Sequence, residues 1–565
     1  MKKIPYGISD FKRLKTENFY FVDKTHYIEK LENFPSSFMM FLRPRRFGKS
    51  LLIAILEAYY DSYFKDEFDD IFKDTYILNH KTKEASSYMV LRFDFSAIDI
   101  YSVEESFKGY LTRHLHSFIN RYELDIKKLD SPFDMLDAIF VYMKEKKLNF
   151  YLLIDEYDNF ANKLLLNNRE DYLNIVSKKT ASFKQFFTTL KAGTTGNNAP
   201  IKRMFITGVT PMTMYDVTSG FNIGDNISLK GEFHNLVGFN QTELNQILID
   251  FGLEERVDKS MLQEWYDSYL FNEKNPSIYN TDMILYFIKE FISENSLPRE
   301  MIDINVRSDY SNLKTIIYTN KKLNGNFKTL QTLIGGESIS ISNLVQDFSA
   351  LNIEKENNFK SFMFYLGLVT IRDRGFDLNL KIPNETVKRI DIDFLKDALE
   401  IERVFEIDIS QLERELKAFA LYGDLQIYKY LAKIIKESTG IRDYIYNEQT
   451  VKSMYLAYLS LTPYYVIKSE EEMNKGFCDI FLKPLNPYVK YIGLVEFKYI
   501  KRGKKTPTKK QIDTLVSEAQ KQLIDYEKDE IVTTYLKDGL KIQKVVIVFW
   551  GWEMVYCEIN DKGSE

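Results

Sequence analysis

Apolar positions in the first 250 residues fall into short runs separated by longer amphipathic stretches. Phe38-Met39-Met40-Phe41-Leu42 is apolar throughout, which reads as a strand buried on both faces. Residues 88–95, 150–154 and 204–206 read the same way, and residues 51–64 read as a helix. Strands separated by helices predict a parallel α/β sheet covered on both sides. From about 240 to 400 the pattern turns mainly helical, with helices predicted at 243–251, 261–269 and 283–291. Two apolar runs there, 362–371 and 376–382, predict a small hairpin. Beyond about 400 the pattern returns to α/β. Helices are expected around 411–421 and 448–461, and strands at 477–482, 491–498 and 544–550. No repeat and no Pro-rich or Gly/Ser-rich linker interrupts the chain.

Composition narrows the class. A chain of 565 residues has room for roughly three to five domains. The net charge of −5 does not announce a nucleic-acid binder, so any such site must be a local patch. Two cysteines, Cys478 and Cys557, exclude a disulfide framework and a Cys-rich zinc module, and both read as core residues. Five histidines leave little for His-based metal sites. No apolar run approaches the roughly 20 residues of a membrane span. The basic N-terminus has no apolar stretch behind it, so no signal peptide is expected. These features predict a soluble cytoplasmic protein.

The first candidate site is Arg43-Pro44-Arg45-Arg46-Phe47-Gly48-Lys49-Ser50, with Leu51 opening the next helix. A loop between a strand and a helix N-terminus can cradle phosphates on its backbone N–H groups. Lys49 would reach the β/γ phosphates of ATP and Ser50 would ligate Mg²⁺. Arg43 stands where such loops usually begin with glycine; the Arg43, Arg45 and Arg46 cluster would neutralise phosphate or reach a neighbouring subunit, unless Arg43 and Arg45 are simply solvated. About 100 residues on, an apolar strand ends in Asp155-Glu156. Asp155 would help hold Mg²⁺, and Glu156 would orient or deprotonate the attacking water. Thr207, on a third strand, either senses the γ-phosphate or simply ends the strand.

These segments resemble the bacterial AAA-ATPase-like family. The likeness includes Tyr20-Phe21-Val22-Asp23-Lys24-Thr25, the arginine-rich loop, Ile154-Asp155-Glu156-Tyr157-Asp158 and Phe205-Ile206-Thr207-Gly208-Val209-Thr210-Pro211. It continues to Trp265-Tyr266-Asp267-Ser268-Tyr269 and Tyr279-Asn280, with Ser268 and Thr281 replacing the family's usual Gly and Pro. The resemblance spans roughly 4–290 and implies that an arginine in place of the first glycine is normal. By analogy alone, it places Asp23-Lys24-Thr25 near the nucleotide.

The second candidate site is Asp479 on one short strand and Glu496 with Lys498 on the next. Side chains alternate along a strand, so Glu496 and Lys498 share a face, and hairpin pairing would add Asp479. Two carboxylates would hold Mg²⁺ through oxygen, and Lys498 would stabilise charge or position water, as metal-assisted phosphodiester hydrolysis requires. The arrangement resembles the PD-(D/E)XK nuclease superfamily over about 410–560, and more closely the nuclease domain usually fused to the AAA-ATPase-like module. That resemblance implies a helix acid at Glu448 and a site-lining Gln522. The basic run from Lys498 to Lys510 would contact phosphates or is a solvated loop.

The expectation is therefore an α/β protein in three regions. A P-loop NTPase parallel sheet occupies 1–245, a helical connector, conceivably winged-helix-like, 246–405, and a PD-(D/E)XK nuclease-like α/β domain 406–565. Its expected activity is ATP binding and hydrolysis coupled to Mg²⁺-dependent cleavage of nucleic acid, DNA above all, with ATP state gating access. It would act without a membrane and could assemble as a homo-oligomer or homodimer. The alternative is a regulatory NTPase switch whose C-terminal domain binds nucleic acid or a protein without cutting it.

Overall fold

In the computed structural model, Phe38–Leu42 forms strand β1, and its last four side chains are buried as an all-apolar strand requires. Helix α1 (Lys49–Tyr60) leaves it through the arginine-rich loop. Strands β2 (Met89–Asp94) and β3 (Phe150–Asp155), helix α2 (Asn159–Asn167), and strands β4 (Ile201–Gly208) and β5 (Asp225–Asn226) follow. The five strands make one parallel sheet in the order β2-β3-β4-β1-β5. This order sets the C-terminal end of β3 beside that of β4, and β4 beside β1. The ends of the candidate strands therefore meet at one edge.

The structure describes residues 2–559 except 100–101, 168, 179–180, 218–223, 299, 307–317, 320–321, 324, 350–351, 354, 402–406, 439–444, 446, 461–463, 475 and 486–487. The chain divides into two compact units: residues 1–312 with 340–386, and residues 313–339 with 387–565. The expected connector is thus shared between them instead of standing as a third body. Hydrogen bonds tie its stretch 340–386 to residues 246–312 of the same first unit. Asn384 Nδ2 donates to Asp267 O at 2.8 Å, and Thr386 Oγ1 to Trp265 O at 2.8 Å. Helix α3 (Thr281–Glu294) caps the phosphate loop, and α4 (Glu356–Leu366) precedes a hairpin of β6 (Thr370–Arg374) and β7 (Leu378–Lys381). The apolar run at 362–371 was expected to be strand. Its first half is instead the end of α4, which Gly367 closes at φ +79.

In the second unit, helix α5 (Glu448–Leu459) precedes strands β8 (Tyr465–Met473), β9 (Gly476–Pro484) and β10 (Tyr491–Ile500). Helix α6 (Lys509–Tyr526) and strands β11 (Lys541–Trp550) and β12 (Glu553–Ile559) complete it. The sheet order is β8-β9-β10-β11-β12, antiparallel except for the parallel β10–β11 pair that α6 connects. Ile492 and Leu494 of β10 pack with Val516, Ala519 and Leu523 of α6, and Cys478 is buried in the same core. Glu496 and Lys498 continue that face of β10 by the two-residue alternation.

Candidate functional site

At the first site, the loop from Arg43 to Gly48 is bonded by its own lysine. Lys49 Nζ donates to Arg43 O at 2.9 Å and to Pro44 O at 2.8 Å. Burial lowers the Lys49 pKa, while Glu156 and Asp155 oppose that shift. Gly48 takes φ +96, a left-handed value that suits glycine at the turn into α1. The N-terminus of α3 clamps the loop from outside. Thr281 Oγ1 donates to Phe47 O at 3.1 Å, Asn280 Nδ2 to Arg45 O at 3.3 Å, and Arg46 Nη1 pairs with Asp282 Oδ2 at 2.9 Å.

A cavity of about 580 Å³ opens beside the loop. Arg45, Arg46, Phe47, Gly48, Lys49, Ser50 and Leu51 line it, together with Glu156, Asn159 and Lys24. Of the predicted Asp23-Lys24-Thr25 segment, Lys24 and Thr25 line the cavity, and Lys24 ion-pairs with Glu243 Oε1 at 2.7 Å. Burial raises the Glu156 pKa against the pull of Lys49, and Asn159 Nδ2 holds its Oε2. The cavity is thus lined in part by the backbone of the arginine-rich loop and by Lys49. It also has an apolar flank that includes Tyr27, Val237 and Phe239.

Four predicted residues, Arg43, Pro44, Asp155 and Thr207, do not line the cavity. The Arg43 guanidinium is 1% exposed and does not line the cavity. Its Nη1 donates to Leu42 O at 2.9 Å and Ser228 O at 2.6 Å, and its Nη2 to Phe233 O and His234 O at 3.4 and 3.3 Å. It stacks on Phe41 and Phe271, and burial pulls its pKa down to about 9. Arg43 therefore braces the loop instead of meeting phosphate or solvent. Pro44 likewise contributes only its carbonyl, to Lys49. Thr207 is spent on Asp155, donating to Oδ1 at 2.5 Å, so its hydroxyl orients a carboxylate instead of sensing a phosphate.

Asp155 is wholly buried, and its Oδ2 has no hydrogen-bond partner; the Arg92 guanidinium lies 4.0 Å away. A buried carboxylate oxygen left this way fits the demand of a hard cation, so Asp155 with Ser50 suits Mg²⁺.

At the second site, paired residues of β9 and β10 stop at Ile480↔Val495. Just beyond, the side chains take over. Glu496 Oε1 accepts the Asp479 N–H at 3.3 Å, and Asp479 Oδ2 accepts the Phe497 N–H at 2.7 Å. Lys498 Nζ sits 3.2 Å from Glu496 Oε2. Burial, then Asp479, holds the Glu496 pKa well above its ordinary value. Burial and then Asp479 raise the Glu448 pKa too, which ties this helix acid to the cluster. Burial lowers the Lys498 pKa, but Glu496 and Asp479 outweigh it and leave it raised. Gln522 Nε2 reaches Tyr526 OH at 3.4 Å, and Tyr526 OH donates to Phe477 O at 3.0 Å. Gln522 thus braces the strand that carries Asp479. Among the described residues no three acidic, His or Cys side chains converge as a metal cage. Two carboxylates suffice for Mg²⁺, which keeps water or phosphate oxygens as its remaining ligands.

Residues 5–218 match the family described as "Predicted AAA-ATPase", and residues 446–559 match the PD-(D/E)XK nuclease superfamily. The chain joins an AAA-ATPase-like domain to a PD-(D/E)XK nuclease superfamily domain. It is also 24% identical, over 313 residues, to an uncharacterized protein encoded in the vnfD 5′ region of Azotobacter chroococcum. That match covers 54% of this chain and 56% of that protein's length. Among solved structures, Aeropyrum pernix ORC2 in ADPNP–ADP complexes aligns with a TM-score of 0.32 and 12% identity, covering 67% of this chain and 90% of that one. Cdc6p from Pyrobaculum aerophilum aligns with a TM-score of 0.25 and 11% identity, covering 71% and 96%. No helix among the described residues is long and apolar enough to cross a membrane.

Sequence reasoning missed two partners in the nuclease-superfamily domain. Lys452 Nζ lies 3.2 Å from Asp479 Oδ1 and also bonds Glu470. Lys452 was findable, because it stands one helical turn beyond Glu448 and so shares its face. In the AAA-ATPase-like domain, the clamp by Asn280, Thr281 and Asp282 was missed, since those residues lie more than 230 positions from the loop.

Proposed function

We infer that the AAA-ATPase-like domain hydrolyses ATP and that the PD-(D/E)XK domain cleaves DNA with Mg²⁺. The observation that carries the second half is the cluster of Asp479, Glu496 and Lys498. Two buried carboxylates face each other across neighbouring strands, with an ammonium on one of them. Asp479 and Glu496 would hold the cation, which would polarise a phosphodiester oxygen and acidify bound water. Lys498 would neutralise charge developing on the phosphate or position the attacking water. Glu448 and Gln522 would line and brace the site. The exposed lysines from 501 to 510 follow directly from β10 and would track the DNA backbone without reading sequence.

In the ATPase domain, Lys49 would exchange its two carbonyl partners for the β/γ phosphates. Ser50 and Asp155 would hold Mg²⁺, with Thr207 fixing the Asp155 carboxylate. Glu156, released by Asn159, would orient the attacking water. Arg45 and Arg46 would face the phosphates from the loop, and the apolar flank would take the base.

The test incubates the full chain with plasmid, linear and single-stranded DNA and with RNA, each with and without ATP and Mg²⁺. Mg²⁺-dependent DNA cleavage supports the reading. DNA binding without cleavage, in Mg²⁺ and ATP, replaces it with the regulatory switch.

A further inference from the structure

Two ammoniums bracket the carboxylates of the nuclease-superfamily domain. Lys498 approaches Glu496 from the same strand, and Lys452 approaches Asp479 from α5. Lys452 is 2% exposed, so its charge is removed from water and held between Asp479 and Glu470. A buried cation in that position must be compensated on every side.

Glu470 is placed for that task by the sheet. Ser469 faces Ile480 and Glu471 faces Cys478, which sets Glu470 opposite Asp479 in the β8–β9 register. Its backbone nevertheless leaves the strand conformation, at φ +51. A left-handed non-glycine residue is strained and persists where its surroundings impose it. Gly336 backs the kink from the turn after helix Gly325–Ile334; a Cβ there would meet Ser469 Oγ at 2.6 Å and Glu470 Cγ at 3.3 Å. The kink is therefore built from two directions.

Four carboxyl groups, Glu448, Glu470, Asp479 and Glu496, face two ammoniums, Lys452 and Lys498. Carboxyl groups in excess of the ammoniums are the oxygen ligands that a divalent cation recruits.

We propose that Lys452 is the resident counter-ion of Asp479, standing in for the divalent cation, and that Glu470 is where its ammonium withdraws when the cation binds. The proposal rests on the metal-dependent reading above and concerns what sets metal affinity. Lys452 and Glu470 act through Asp479, so both are positioning residues. While Lys452 stays on Asp479, one carboxylate oxygen is occupied and a cation binds weakly. A phosphodiester brings further negative charge, so cation and nucleic acid reinforce each other's binding.

Binding of Mn²⁺ to the full chain, in the absence of nucleotide, tests this by the electron paramagnetic resonance signal of the free ion. Asp479→Asn identifies the share of binding that belongs to this site. Lys452→Met should tighten that share about tenfold to a hundredfold. Glu470→Gln, which leaves Lys452 only Asp479, should weaken it by a similar factor, and the double variant should follow Lys452→Met. A purely structural lysine would give the opposite sign or no change. Unchanged or weaker binding by a folded Lys452→Met, judged by circular dichroism, overturns the proposal. Unchanged binding by Glu470→Gln overturns it equally, and that variant suffices should Lys452→Met not fold. If Asp479→Asn removes no Mn²⁺ binding from the parent, the metal-site reading itself falls.

Discussion

The two candidate sites solve the problem of buried charge in opposite ways. In the AAA-ATPase-like domain, Lys49 rests on backbone carbonyls, Asp155 keeps one oxygen without a hydrogen-bond partner, and a cavity of about 580 Å³ lies alongside. In the nuclease-superfamily domain, Asp479 and Glu496 have an amide or ammonium on each oxygen. The first site is made of loop backbone and presents unmet demand to a ligand. The second is made of strand register and is compensated internally. A ligand at the first site completes the structure, whereas a cation at the second must compete with groups already there.

The largest effect separates the two sites outright. Glu496→Ala should lower Mg²⁺-dependent DNA cleavage by about a thousandfold, ~4 kcal/mol of transition-state stabilisation, and leave ATP hydrolysis at the parent rate. Matching cleavage in parent and variant would remove Glu496 from the site. The reciprocal change, Lys49→Ala, should lower kcat for ATP hydrolysis by about a hundredfold or more, measured as phosphate release. Cleavage measured without ATP should not change.

The next effect divides the arginines of one loop. Arg43→Ala strands the carbonyls of Leu42, Ser228, Phe233 and His234 and should destabilise the first unit by about 2–4 kcal/mol in denaturant unfolding. Arg45→Ala should leave unfolding unchanged and weaken nucleotide binding about tenfold in calorimetric titration. Equal effects on unfolding would mean that the loop treats its arginines alike.

The smallest effect sharpens the internal compensation of the second site. Burial, then Asp479, raises the Glu496 carboxyl above its ordinary value of 4.5. Above 4.5 and up to its raised folded value the folded chain keeps a proton that the unfolded chain releases, so stability falls as pH rises through that window. In EDTA, the melting temperature of the parent should therefore fall more steeply above about pH 4.5 than that of Glu496→Gln. Asp61, Glu156 and Glu448 are also raised but are common to both proteins, so the difference in slope reports Glu496. Parallel slopes would show that Glu496 is not destabilised by burial.

What the sequence reveals is set by how locally each feature is encoded. β1 is legible to the residue because all five of its positions are apolar. Glu496 and Lys498 are legible because alternation along one strand fixes their common face. Arg43 is not, since the carbonyls that claim it include three that lie 185, 190 and 191 positions downstream. Asp155 and Thr207 can each be seen at a strand end, but their bond depends on β3 lying beside β4. Strand β8 hides because Lys468-Ser469-Glu470-Glu471-Glu472 is polar where strands favour β-branched and aromatic residues. The same polarity puts Glu470 opposite Asp479, so the segment least like a strand supplies the missing partner.

The chain passes between its two units at 312/313, 339/340 and 386/387. During synthesis, residues 313–339 leave the ribosome before any other part of the second unit exists. The first unit is incomplete until residue 386 has emerged. Domains generally fold in the order in which they are made, so here the earlier unit must wait for a segment that follows a piece of the later one. No single cleavage of the polypeptide yields both units whole, and a gene fusion joined at residue 405 would orphan the stretch 313–339. Exchange of one activity for another in such a lineage therefore has to carry two separate stretches of coding sequence together.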